Sequence, residues 1–223
     1  MTSVMLATYP EIFAGGAIIA GLPFGGATTI PEAFESMRGN GSHSESHLQG
    51  LVRAASSHKG PWPTISIWQG SADRTVDLSN AEAIVDQWRD VHGLRKTPAN
   101  TEIADGYTRR FWCDAEEKVL IEEYIIAGMG HGTPLNTLED GLGSSGPFML
   151  DVGISSTRQI AQFWGIVKSG KTGKLTRAKT KTEAPNVSRA SVEKFPPSPG
   201  ASRTAAGVKT VIENALRKAG LMA

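Results

Sequence analysis

Three short runs rich in β-branched and aromatic residues, each closed by turn-forming residues and set apart by amphipathic stretches, constrain this chain more than any other feature. Phe13 to Gly21 (FAGGAIIAG), Thr64 to Trp68 (TISIW) and Val119 to Ile126 (VLIEEYII) have the length and composition of strands. The first, punctuated by glycine on both sides, reads as a strand buried on both faces. Residues 1 to 9 (MTSVMLATY), followed by Pro10, fit the last turns of a buried helix ended by proline. Further amphipathic pieces lie at Ile30 to Met37 and Leu48 to Ala55. Ser79 with Glu82 forms an S-x-x-E capping box, after which Ala81, Ile84, Val85 and Trp88 repeat at helical spacing. Ser155 to Trp164 gives a last helix with Ile160, Ala161, Phe163 and Trp164 as its apolar side. The alternation predicts an α/β fold, a parallel sheet with flanking helices and right-handed crossovers. Arg109 to Cys113 is a hairpin partner for the third strand.

Charge divides the chain. Residues 1 to 167 hold 11 Lys and Arg against 19 Asp and Glu, a balance of −8, whereas residues 168 to 223 hold 12 against 3, a balance of +9. The first part is the globular body. Residues 168–200, rich in Lys, Ser, Thr and Pro, cannot bury a core and read as a basic disordered linker. In residues 201–223, Val208, Val211, Ile212, Ala215 and Leu216 mark an amphipathic helix closed by Arg217, Lys218 and Gly220. The basic residues suit sequence-independent contact with an anionic polymer, but a solvated linker accounts for them, and nucleic acid is not the expected partner. The single cysteine, Cys113, excludes an internal disulfide and reads as an inert, partly buried thiol. No stretch reaches the roughly 18 to 20 apolar residues of a membrane span. The first residues lack the order of a signal peptide, which leaves location open.

Two loops carry the candidate chemistry. In open α/β sheets, functional groups collect beyond the carboxyl ends of strands. Asp73 lies five residues past Trp68 and His131 five past Ile126, each in a glycine-containing loop. An aspartate bonded to one imidazole nitrogen fixes the tautomer and leaves the other nitrogen free as a base. Alone, either residue is also what an ordinary turn aspartate or glycine-flanked turn histidine looks like. Their order, acid before histidine and each after its own strand, matches the α/β-hydrolase arrangement.

Other patterns lack their structural setting. Gly165 to Thr172 satisfies G-x-x-x-x-G-K-[ST], yet a helix precedes it and a basic tail follows, where a phosphate loop needs a strand and then a helix. His43, Glu45 and His47 do not have the H-E-x-x-H order and follow Gly39-Asn40-Gly41-Ser42, so they read as a solvated loop rather than a metal site.

The runs YPEIFAGGAIIAGLPFG, HKGPWPTISIWQGSADRTV with NAEAIVDQW, and IAGMGHGTPL resemble the C-terminal half of the poly(3-hydroxybutyrate) depolymerase-like esterase family, over residues 1 to 167. The resemblance implies an α/β-hydrolase fold, a Ser-Asp-His triad and no cofactor. It implies an ester substrate, either a polyester or an acetylated or feruloylated polysaccharide, and a secreted or intracellular enzyme. Asp73 then matches the triad acid and His131 the triad base. Gln69 departs from the family, which commonly has histidine there, and puts a supporting or substrate contact at that position in question. The larger departure is the nucleophile: no G-x-S-x-G occurs. Ser3 falls within a helix, and Gly143-Ser144-Ser145-Gly146 lacks the strand-turn-helix setting of a nucleophile elbow. The family's elbow helix continues into residues resembling Met1 to Leu6, so the elbow is expected just upstream of Met1. The chain is expected to be a truncated hydrolase, weakly active or inactive, with an unpartnered strand edge prone to aggregation. The alternative is a noncatalytic binding protein built from a hydrolase remnant; in-frame upstream codons for G-x-S-x-G separate the two.

Overall fold

In the computed structural model, which describes residues 1–41, 44–138 and 143–168, helices and strands alternate as the sequence pattern predicts. The described residues lie in one unit, Met1–Thr172; residues beyond Lys168, expected as a basic linker and a terminal helix, lie outside them. In chain order the elements are α1 (Thr2–Thr8), β1 (Gly15–Ile19), α2 (Ile30–Met37), α3 (Glu45–Ala55), β2 (Thr64–Gly70), α4 (Ser79–Val91), β3 (Asn100–Ala104), β4 (Tyr107–Cys113), β5 (Val119–Ile126), β6 (Thr133–Leu135), β7 (Met149–Asp151) and α5 (Ser156–Phe163). The main sheet runs β1-β2-β5-β4-β3, with β6 and β7 a separate pair.

Pairing is parallel from β1 through β2 to β5 and antiparallel from β5 through β4 to β3. The sheet is therefore mixed rather than wholly parallel, because two hairpins follow the last crossover. The hairpin partner expected at Arg109 to Cys113 is present as β4. β3 was not anticipated: all five of its residues are exposed, so no apolar alternation marks it. Its signal is Asp105-Gly106, a two-residue turn with Gly106 at φ +88°, the geometry a tight hairpin demands.

Each face of the sheet has its own core. Ile18, Ile65, Ile67 and Ile121 pack beneath α1, α3 and α4, with Leu6, Val52, Ala81, Ile84, Val85 and Trp88 from those helices. On the other face Trp68, Tyr124 and Ile126 meet Met129, Ile154 and Ile160. Trp68 and Tyr124, direct neighbours in the β2–β5 register, stack at 3.9 Å and 5°. The predicted core positions of α4 are all buried.

Several expectations change. β1 is an edge strand whose residues alternate between buried and half-buried: Ile18 is enclosed in the first core, while Ala17 and Ile19 pack against the second and stay partly exposed, so burial is complete on one face and partial on the other. α1 is one-sided as well: Ser3, Leu6 and Ala7 are buried while Val4 is exposed. Of the apolar side assigned to α5, only Ile160 is buried and Trp164 is exposed. The capping box at Ser79 and Glu82 does not form. Ser79 is already helical, and Asp77 Oδ1 accepts from its N–H at 2.9 Å and its hydroxyl at 2.7 Å. A capping box occurs instead at Thr29 and Glu32, where the threonine precedes the first turn. α3 begins at Glu45, with Ser44 Oγ accepting from His47 N–H, so His47 sits on a helix rather than in a loop. Cys113 is free and half-buried, and burial with the nearby Asp114 and Glu117 pushes its thiol up.

The charged pair inside β5 stands on opposite faces. Glu122 Oε2 accepts from Arg109 Nη2 at 2.9 Å and Oε1 from Ser66 Oγ at 2.8 Å; burial pushes its carboxyl up against the opposing pull of Arg109. Glu123, fully buried, is joined to Arg110 at 2.5 Å, and its other oxygen has no partner among the described residues. Removing one member of a buried pair strands the other charge. Arg110→Met is expected to cost about 3–5 kcal/mol of unfolding free energy in urea titration, with most of it regained when Glu123→Met is added.

His92, just beyond α4, donates from Nε2 to the Pro63 carbonyl at 3.0 Å, and burial pushes its imidazole down to about 4. Between that value and the ordinary 6.5, the unfolded chain binds a proton that the folded chain does not. This contribution to stability is complete above about pH 6.5 and lost on acidification toward pH 4, at up to about 1.4 kcal/mol per pH unit. Denaturation followed across that range should show the slope, and His92→Gln should remove it.

Candidate active site

Asp73 stands three residues past the end of β2, in a turn closed by its own N–H donating to the Gly70 carbonyl at 3.2 Å. Its side chain is fully buried, so every acceptor position needs a protein donor. Oδ1 accepts from the backbone N–H groups of Thr75 at 2.8 Å and Val76 at 2.9 Å. Oδ2 accepts from Gln69 Nε2 at 3.0 Å and is paired with His131 Nδ1 at 2.9 Å. A carboxylate only accepts, so Nδ1 carries the proton.

His131 lies five residues past β5, in a loop that the acid's loop holds in place. Ser71 N–H donates to the Ile126 carbonyl at 2.9 Å, Ala72 N–H to the Met129 carbonyl at 3.0 Å, and Gly128 N–H to Ser71 Oγ at 2.9 Å. Gly128 turns the chain at φ +69°, where a Cβ is disfavoured. The two loops touch so closely at Gly70 that a Cβ there would stand 2.2 Å from the Met129 carbonyl oxygen. Met129, buried in the second core, anchors the loop from below. The His131 ring is 30% exposed and meets the edge of Phe148 at 6.0 Å. Its Nε2 has no hydrogen-bond partner among the described residues. With Nδ1 donating, Nε2 presents a free lone pair toward solvent, as a general base requires.

The two sequence candidates, 58 residues apart in the chain, thus meet. Gln69, which sequence reasoning treated only as a departure, is 1% exposed and bonds to the acid. Its place could be read from strand alternation, since Ile65, Ile67 and Gln69 share one face. Ser3 is buried in α1 and donates to the Leu22 carbonyl at 2.8 Å. Gly143 to Gly146 is exposed and has no helix after it, so neither serine setting is an elbow. Among the described residues no group of His, Cys, Asp and Glu could hold a metal ion, and no helix is long and apolar enough to cross a membrane. His43 lies outside the described residues. Gly165 follows α5 rather than a strand, and Ser169 to Thr172 are also outside them.

No protein-family model matches the chain. It is 40% identical over 170 residues to poly(3-hydroxyalkanoate) depolymerase C of Paucimonas lemoignei, covering 75% of this chain and 41% of the relative. Over that stretch the chain is similar to the poly(3-hydroxybutyrate) depolymerase-like esterases. It is also 31% identical over 141 residues to an acetylxylan esterase of Coprinopsis cinerea, 60% of this chain and 37% of that one. The chain therefore spans about two fifths of the length of these curated relatives. The solved acetyl xylan esterase of Aspergillus awamori superposes with a TM-score of 0.58 at 23% identity, over 74% of this chain and 55% of that one, and shares its fold. By name, these relatives are a poly(3-hydroxyalkanoate) depolymerase and acetylxylan esterases.

Because the clasp leaves no room at Gly70, Gly70→Ala should push the two loops apart. The expected cost is about 2–3 kcal/mol or more in thermal or urea unfolding, together with loss of the Asp73–His131 contact in histidine ring NMR spectra.

Proposed function

We propose that this chain supplies the acid and base of a serine carboxylic-ester hydrolase, with Asp73 as triad acid and His131 as triad base. The nucleophilic serine is carried outside residues 1–223. The observation supporting this reading is the buried Asp73 carboxylate on His131 Nδ1, with Nε2 left unengaged among the described residues. In the reaction, Nε2 takes the proton of the serine hydroxyl as its oxygen attacks the ester carbonyl, then returns it to the departing alkoxide. Water, activated by the same nitrogen, hydrolyses the acyl-enzyme to the free acid. Asp73 stabilises the imidazolium in each half-reaction.

The free edge of β1 suits the entry of a serine-bearing strand. Ala14 and Ala20 exchange backbone hydrogen bonds with Thr64 and Trp68 of β2. By alternation, Gly15, Ala17 and Ile19 direct their N–H and C=O groups outward. A strand paired there and turned into a helix would present its serine at the carboxyl end of the sheet, with the following N–H forming part of an oxyanion hole. The substrate class carried over from the relatives is a polyester or an acylated polysaccharide.

A fluorophosphonate probe should leave the 223-residue chain unlabelled, and p-nitrophenyl butyrate should not be hydrolysed above background. Stoichiometric labelling of one of its serines would sink the proposal. In a longer form carrying G-x-S-x-G in the same polypeptide, labelling should appear and Asp73→Asn should lower kcat by about 10⁴-fold.

A further inference from the structure

We propose that Gln69 is the positioning residue of the acid–base pair, fixing the Asp73 carboxylate so that Oδ2 faces His131; this rests on the triad reading above. Gln69 ends the buried face of β2 and is 1% exposed. Both protons of its amide are engaged, one on Asp73 Oδ2 at 3.0 Å and one on the Val76 carbonyl at 2.8 Å. Val76 in turn donates its N–H to Asp73 Oδ1 at 2.9 Å. Side-chain amide, carboxylate and loop backbone therefore form a closed ring of hydrogen bonds.

Within that ring the two carboxylate oxygens have different fixtures. Oδ1 is held by two backbone N–H groups; Oδ2 has Gln69 as its one partner other than His131 among the described residues. Without the amide, rotation about Cβ–Cγ is opposed at Oδ2 by the imidazole alone, the group that catalysis requires to move charge. The carboxylate is fully buried, so no solvent donor replaces the amide at low cost. A carboxamide does not titrate, so its hold on Asp73 is the same at every working pH. Among the described residues the Gln69 amide hydrogen-bonds to Asp73 and Val76 and not to His131, so it acts through Asp73.

Ring NMR of the full 223-residue chain labelled with ¹⁵N-histidine tests this without requiring turnover. The chain has five histidines, and the His131 signals are those lost in His131→Gln. In the parent chain a downfield Nδ1–H resonance, abolished by Asp73→Asn, is expected. If Asp73→Asn leaves it unchanged, the acid–base reading itself fails and Gln69 is not the cause. Gln69→Met, of equal length but without a donor, should exchange that proton about tenfold faster with solvent and mix the two ring tautomers while the circular dichroism spectrum stays the same. Gln69→His, which returns a ring donor, should restore slow exchange. Gln69→Ser, too short to reach Oδ2, is the second donor-deleted variant if Gln69→Met does not fold. Retention of the parent exchange rate and tautomer in either folded variant overturns the proposal, as does failure of Gln69→His to restore them.

Discussion

Parallel pairing of β2 with β5 is the interaction on which the site depends. It sets Gly70 opposite Ile126, so the two strands end level and their loops leave the sheet side by side. Three hydrogen bonds between those loops and the close approach at Gly70 then fix His131 over Asp73. The same register stacks Trp68 on Tyr124 two residue pairs below, giving the loops a rigid base. A one-residue slip would invert every side chain of a strand relative to the core, so the register that makes the core also aims the acid.

Polar groups inside this sheet are satisfied in chains rather than singly. Trp68 Nε1 donates to Ser66 Oγ, which donates to Glu122, which accepts from Arg109, itself paired with Glu102. Asp73 likewise gathers four donors from a strand residue, two loop amides and the imidazole. In low-dielectric surroundings an unpaired member of such a set is costly. Each Asp73 carboxylate oxygen is thereby held by two donors, Oδ1 by Thr75 and Val76 and Oδ2 by Gln69 and His131.

Asp73 and His131 could be picked out as a candidate pair in the sequence because their signal is local: a strand ended by a glycine turn, then a polar residue of the right type, twice and in the order acid before histidine. Gln69 was visible as a substitution against a family pattern and, by strand alternation, as a residue on the face of Ile65 and Ile67. Its donor role depends on how far the chain curls between Gly70 and Val76, which no residue type specifies. β3 escaped for a different reason. An exposed hairpin arm has no buried face, so hydrophobic alternation cannot mark it, and only Asp105-Gly106 hinted at the turn.

The sequence by itself determined β1, β2, β4 and β5 with the five helices, the burial of the α4 stripe, and the two residues at the loops, because propensity, periodicity and turn chemistry act over a few neighbouring residues. Only the tertiary structure decided that the sheet turns antiparallel beyond β5, that β1 lies at its edge with one face only partly buried, and that Glu122 and Glu123 find arginines on opposite faces. It also decided that an amide at Gln69 grips the acid. These outcomes rest on pairings between residues far apart in the chain, whose energies depend on register and burial rather than on residue identity alone.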